Sequence, residues 1–321
     1  MASTATTITI RPEREEDYPR VAELLSMGYA EPVTAATVRA WRETEPPERI
    51  TRRLVAVAPF SGAVVGCAHA LRDAWAIPGL FWLHVGVDPT ARGRGIGARL
   101  FAEVDGFARE RGATIARAEV RDQVTDGLRF AERHGFHIER HIFESTLDLA
   151  AFDEAPFVAA VMDAEEGGIR FVSLADLGDT EEARRKLHAL NEKAALDVPG
   201  SDATPRPYEA FAHDVFQAEW YRPDGQIVAM DGAEWIGLSA VGIFPETRSA
   251  YNMMTGVLPA YRGRGIAQAL KVQALRCARR YGAAYIRTNN DAENAPMLAV
   301  NRKLGYRPEP GFYRMRREGD C

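Results

Sequence analysis

Two stretches of this 321-residue sequence carry the residue types that hold an anion against a protein backbone. Residues 86–97 read GVDPTARGRGIG and residues 256–267 read GVLPAYRGRGIA, with eight of twelve positions identical at an offset of 170. In each, glycines sit where a strand gives way to a helix. Without a Cβ the backbone N–H groups can close on an anion. The unpaired N–H donors and the dipole of the following helix add to the attraction. Arg92, Arg94, Arg262 and Arg264 bring side-chain cations to the same turns. The chemistry such a turn serves is the binding of a phosphate or pyrophosphate.

Three ligand classes use turns of this kind. A P-loop needs Gly-Lys followed by Ser or Thr, which neither copy has. A dinucleotide fold starts its glycines almost at the strand end, whereas five residues, Asp88–Arg92 and Leu258–Arg262, intervene here. Coenzyme A is the third class, with its pyrophosphate on the turn and its thioester arm beside the preceding strand.

The elements that position the turns repeat as well. The offset holds without a gap to Gly112 and Gly282, Arg117 and Arg287, and Gly135-Phe136 and Gly305-Tyr306. Two copies of one module are therefore expected, residues 1–150 and 169–321, joined by a connecting helix and linker over 151–168. The first copy reads as a strand at Thr7–Arg11, a helix at Glu15–Met27, and a hairpin of Leu54–Ala58 with Val64–Ala70. A long apolar strand, Leu80–Val87, leads into the turn. A helix from Ile96 to Arg111 follows, then a strand at Ala113–Val120, a helix at Thr125–His134 and a closing strand at Ile138–Leu147. The second copy repeats the order, with Ile169–Leu174, a hairpin across Asp231-Gly232, Tyr251–Val257, Ile266–Tyr281, Ala284–Thr288 and Met297–Leu304. The predicted class is α/β, each copy a mixed, mostly antiparallel sheet flanked by helices.

This pattern resembles the GNAT superfamily of N-acetyltransferases. The resemblance rests on Arg-x-x-Gly-x-Gly/Ala after a long strand, then helix, strand, and a helix ending in Gly-Phe or Gly-Tyr, and it covers nearly the whole chain as a tandem member. It implies acetyl-CoA as cosubstrate and a primary amine as acceptor; separately, His134 and His137 have no third ligand nearby, so no metal is expected. Carried onto this sequence, the pyrophosphate loop falls on Arg92, Gly93, Arg94, Gly95, Ile96 and Gly97, and on Arg262, Gly263, Arg264, Gly265, Ile266 and Ala267. The strand edge beside the pantetheine arm falls on Val85 to Val87 and on Thr255, Gly256 and Val257. The asparagine that often contacts this arm is matched by Asn294, whereas copy one has Val124. The tyrosine that often protonates the departing thiolate is replaced by Asn301 in copy two and by Ala131 in copy one.

Transfer requires a neutral amine, a polarised thioester carbonyl and a stabilised leaving thiolate. Copy two offers backbone donors at Gly256 and Val257, a hydrogen-bonding amide at Asn301, and Tyr251 and Asn252 on the strand toward the acceptor. Glu246 is the nearest carboxylate that could serve as base, directly or through water. In copy one, His84 reads either as a base or as a ring packed between layers with Phe81 and Trp82. Because copy one lacks both asparagines, the C-terminal copy is expected to be catalytic and the N-terminal one to bind or support.

The balance of 26% charged and 46% hydrophobic residues excludes a disordered chain. A net charge of −5 without a basic stripe speaks against nucleic acid as partner. No apolar run reaches the length of a membrane span. Three scattered cysteines, Cys67, Cys277 and Cys321, suit a reducing, cytoplasmic setting. Monomer and homodimer both remain open. Two rivals stay in play: a non-catalytic acyl-CoA sensor, favoured by the missing tyrosines, and a nucleotide-dependent oxidoreductase, resting on the glycines alone.

Overall fold

The computed structural model describes residues 8–28, 32–199 and 204–319. Thr7, Cys321 and part of the Leu196–Pro207 loop lie outside the described residues. The elements, in chain order, are β1 (Thr9–Pro12), α1 (Tyr18–Ser26), α2 (Ala35–Glu43), β2 (Ile50–Val57), β3 (Val64–Arg72), β4 (Leu80–Val87), α3 (Ile96–Glu110), β5 (Ile115–Arg121) and α4 (Thr125–Arg133). They continue as β6 (His137–Asp148), α5 (Ala155–Glu166), β7 (Ile169–Ser173), α6 (Glu181–Leu196), α7 (Tyr208–Phe216), β8 (Gln226–Asp231) and β9 (Glu234–Phe244). The last are β10 (Ser249–Val257), α8 (Ile266–Arg280), β11 (Tyr285–Asp291), α9 (Ala295–Leu304) and β12 (Arg307–Glu318).

The chain forms two compact units, and neither is contiguous with its sequence repeat. One comprises Met1–Glu139 with Phe312–Cys321, the other Arg140–Gly311. In the first, strands β1 to β5 lie in order and β12 closes the row, Phe312–Glu318 running antiparallel to Arg121–Ile115. In the second, β7 to β11 lie in order and β6 closes the row, Ile142–Asp148 running antiparallel to Asp291–Tyr285. The closing strand expected at Ile138–Leu147 therefore forms, but its residues from Arg140 onward belong to the second unit. Alternating residues set which face a strand buries, not which neighbour it joins.

Residues 151–168 also differ from a plain connector. Phe157, Val161 and Ala164 of α5 are buried in the second unit's core with residues of α8. Arg276 pairs with Glu154 at 2.6 Å, and the Arg279 guanidinium donates to the carbonyl of Leu149 at 2.7 Å. These arginines fasten the segment to the second unit.

Each unit buries two helix-and-sheet clusters; α1 and α2 pack on Val55 and Val64 in the first, and α6 packs on Val228 and Leu238 in the second. Val104, Leu100 and Ala108 of α3 pack on Leu54, Ala68, Ala70 and Phe81 in the first. Ala269, Leu270, Val272 and Leu275 of α8 pack on Ile227, Ile236, Val241 and Ile243 in the second. α3 shows the apolar spacing of one buried face, whereas α8, covered by α5 as well, is buried almost all round. Among the described residues no helix is long and apolar enough to cross a membrane.

Candidate functional site

In both units a parallel pair of strands starts together and then separates. β4 pairs with β5 only over Leu80–Trp82 and Ile115–Arg117. β10 pairs with β11 only over Ser249–Tyr251 and Tyr285–Arg287. Beyond these points β4 and β10 keep antiparallel partners on their other edges, β3 and β9. The edge of Val85–Val87, and that of Thr255–Val257, thus faces an opening between strands. An extended acyl arm can lie there and hydrogen-bond to backbone.

At the end of each opening stands the glycine turn. Gly93 and Gly95, like Gly263 and Gly265, have φ between 73° and 77°. A Cβ at any of the four would meet nothing within 4 Å, so glycine is needed for backbone conformation and not for space. Gly95 and Gly265 are the N-caps of α3 and α8. The first bonds back into these helices run from Arg99 N–H to Gly95 C=O (3.1 Å) and from Ala269 N–H to Gly265 C=O (3.0 Å). The N–H groups ahead of them have no helical acceptor and point at the turn.

The four arginines divide into two kinds. Arg92 donates from Nε to the carbonyl of Val87 at 3.1 Å, and Arg262 does the same to Val257 at 3.0 Å. These two brace the turn against the strand end, and Arg262 also pairs with Asp197. Arg94 and Arg264 are exposed, the latter over the ring of Tyr261. They are the cations left to face an incoming anion.

Beyond the shared turn the openings differ in lining. That of the first unit is a cavity of 620 Å³ reaching from Arg92, Gly93 and Gly95–Gly97 past Val85 and Val87 to Phe101, Val120, Phe130 and Ala131. His84 lines it too. The ring stacks on His69, centroids 5.0 Å apart and planes inclined by 16°. Burial lowers the His84 pKa to about 4, and its Nε2 has no hydrogen-bond partner. His84 thus packs against His69 and borders the cavity.

The second unit carries polar groups where the first is apolar. Asn252 on β10 is 2% exposed; its amide donates to Ser239 Oγ, Ala240 C=O and Met254 C=O. Its Oδ1 accepts from Thr255 Oγ1 at 2.9 Å and from Lys271 Nζ at 2.6 Å. Asn301 is equally buried, and its amide donates to Asn290, which in turn donates to Ser145 Oγ. The Oδ1 of Asn301 has no partner. Asn294 caps α9, accepting from Met297 N–H at 3.3 Å. Tyr251 lies against Arg287, itself paired with Glu144, and burial pushes the phenol pKa up.

The structure brings Thr255–Val257, the turn, Asn252 and Lys271 together. It leaves Glu246 exposed in the hairpin turn before β10, at the end of that strand away from the glycines. Lys271 escaped the sequence reading. The available signal was the repeat itself, which sets a lysine opposite Phe101 in a helix whose buried residues are mostly apolar.

A second cavity, of 380 Å³, opens against Met253 and Met254. Phe211, Val215, Trp220 and Leu238 form its apolar wall, and Asn191, Arg206, Asp214 and Gln226 its polar groups. It meets β10 at a bulge, where the register with β9 shifts between Asn252 and Met254.

A mixed sheet that parts beside a glycine turn and a helix N-terminus defines an acyl-coenzyme A-dependent transferase fold. The chain belongs to the acetyltransferase (GNAT) family, whose profile matches residues 15–136 and 194–306. It is 26% identical over 254 residues to a mycothiol acetyltransferase of Nocardioides sp., covering 72% of this chain and 80% of that one. A mycothiol acetyltransferase of Corynebacterium glutamicum is 33% identical over 91 residues; the match covers 28% of this chain and 30% of the relative's length. Among solved structures, the tandem GNAT protein from the clavulanic acid biosynthesis pathway covers 98% of this chain and 100% of its own, at 20% identity and a TM-score of 0.74. A GCN5-related N-acetyltransferase from Sphaerobacter thermophilus covers 97% and 95% at 20% identity and 0.71. The structural likenesses show the fold alone.

Proposed function

We propose that this N-acetyltransferase moves the acetyl group of acetyl-CoA to a primary amine of a small molecule, by direct attack on the thioester. In this reading the C-terminal copy performs the transfer, while the N-terminal copy holds acyl-CoA in its cavity. The observation that carries the assignment is the bulge of β10 at the edge of the 380 Å³ cavity. A bulge re-aims backbone N–H groups, which is what polarising a thioester carbonyl requires. The equivalent strand of the first unit pairs with β3 in unbroken register from Trp82 to Val87. Mycothiol acetyltransferases among the relatives support a small-molecule acceptor.

Turnover in the N-terminal copy with His84 as base has one observation in its favour, the unpartnered Nε2 at the cavity. Its energetics weigh against it. Moving a proton from an alkylammonium of pKa about 10.4 to an imidazole near 4 is uphill by roughly 9 kcal/mol.

Calorimetric titration with acetyl-CoA, combined with thiol release over a panel of primary amines, tests the division. Wild type should bind up to two equivalents. Arg264→Glu should abolish turnover, and Arg94→Glu should remove one binding equivalent while most turnover remains. The reverse pattern would move catalysis to the N-terminal copy. Binding without thiol release on any amine would favour the sensor reading.

A further inference from the structure

A leaving thiolate must be hydrogen-bonded or protonated, and neither copy has the tyrosine that often supplies the proton: Asn301 and Ala131 stand there instead. An amide can donate a hydrogen bond but cannot give up a proton at neutral pH. The repeat register shows what else reaches the place. Phe101, Ala118, Val120 and Ala131 line the cavity of the first unit. At the offset of 170 their counterparts are Lys271, Thr288, Asn290 and Asn301.

Of these only Lys271 is an acid-base group. It is 1% exposed on the inner face of α8, with Nζ donating to Asn252 Oδ1 at 2.6 Å and lying 5.0 Å from the centre of the Tyr306 ring. An ammonium can donate three hydrogen bonds; this one makes a single side-chain bond among the described residues. Asn252 sits at the residue after the last paired position of β10 with β11, where the strands part. Through Asn252, Lys271 Nζ is thus fastened beside the point where the strands part, with donor capacity to spare.

We propose that Lys271 is the proton donor to the coenzyme A sulfur in the C-terminal copy. The proposal rests on that copy being the site of transfer. The amine lone pair forms the C–N bond and the carbonyl π pair moves onto oxygen. As the carbonyl re-forms, the C–S bond breaks and its electron pair goes to sulfur. The Lys271 ammonium gives its proton to that sulfur and is left neutral. The attacking nitrogen loses its extra proton to water, and Lys271 takes one back from water before the next turnover. No oxidant or metal enters the balance.

The acid strength suits this step. Burial lowers the Lys271 pKa to about 7, whereas a free alkyl thiol has a pKa of about 8.5, so the transfer runs downhill. The groups placed against Nζ are the Asn252 amide from β10 and the Tyr306 phenol ring beyond α9, whose own pKa burial pushes up. Neither carries charge at neutral pH.

Thiol release from acetyl-CoA with the fastest amine of a primary-amine panel, followed from pH 6 to 9, tests the assignment. In wild type kcat should fall on the alkaline side as Lys271 loses its proton. Lys271→Met, of similar volume and without charge, should lower kcat by about 10²- to 10⁴-fold and abolish the alkaline limb, with KM for acetyl-CoA within about threefold. Lys271→Arg should be comparably slow, because a guanidinium does not release its proton in this range; its melting curve checks that the fold survives should Lys271→Met not. A Lys271→Met enzyme that keeps wild-type kcat, or keeps the alkaline limb, overturns the proposal while Arg264→Glu still abolishes turnover. An active Arg264→Glu enzyme overturns the C-terminal assignment and this proposal with it, as does an absence of thiol release on every amine.

Discussion

Burying an ammonium makes folding sensitive to pH in a way that needs no substrate to observe. The Lys271 pKa is about 7 in the folded chain and near 10.5 when the chain is unfolded. Between these values the unfolded state binds more protons, so stability rises as pH increases from 7 toward 10.5 and is flat in this respect below 7. Lys271→Met removes that slope. The melting temperature of wild type relative to Lys271→Met should therefore climb from pH 7 to pH 9.5, and parallel curves would mean that the lysine is ionised alike in both states. At this scale the anion site was readable from types and spacing, since Gly95 and Gly265 need left-handed backbone whatever surrounds them. Asn252 was legible on the acceptor strand, but its contact with Lys271 was not, because a buried polar contact between a helix and a strand 19 residues apart leaves no periodic trace.

Strands and helices were legible where local pattern decides them. Gly112 and Gly282 end α3 and α8 at φ of 79° and 72°, and the hairpins of β2 with β3 and β8 with β9 formed where turn residues called for them. Which row β6 and β12 would each join was not legible, for both have the same apolar alternation at the same repeat offset. One residue does betray the arrangement in hindsight. At Gly311 a Cβ would stand 2.1 Å from the carbonyl oxygen of Ile142 and 2.4 Å from the Cα of Phe143. Backbone cannot yield as a side-chain tip can. Gly311→Val should lower stability by about 3 kcal/mol or more, read as an early first transition in a calorimetric scan. A melting curve unchanged from wild type would mean that these strands do not approach so closely.

For the molecule as a whole, the two units depend on each other's sequence. Met315, fully buried, belongs to the core that holds Leu54, Phe81 and Leu100. Ending the chain after Gly311 removes it together with the strand facing Ile115–Arg121. Deuterium exchange should then accelerate throughout β4 and β5, one equivalent of acetyl-CoA binding should vanish, and β9 and β10 should stay protected. Protection retained in β4 and β5 would mean that the first unit is complete without β12.

This exchange of strands also sets a timetable for biosynthesis. On a ribosome working from the N-terminus, the sheet of the first unit has an open flank until every residue of the second has been translated. β5 spends that interval with one edge unpaired, the condition in which chains pair with the wrong neighbour. A stretch bearing Glu119 and Arg121 on such a strand is charged enough to discourage that pairing while it waits.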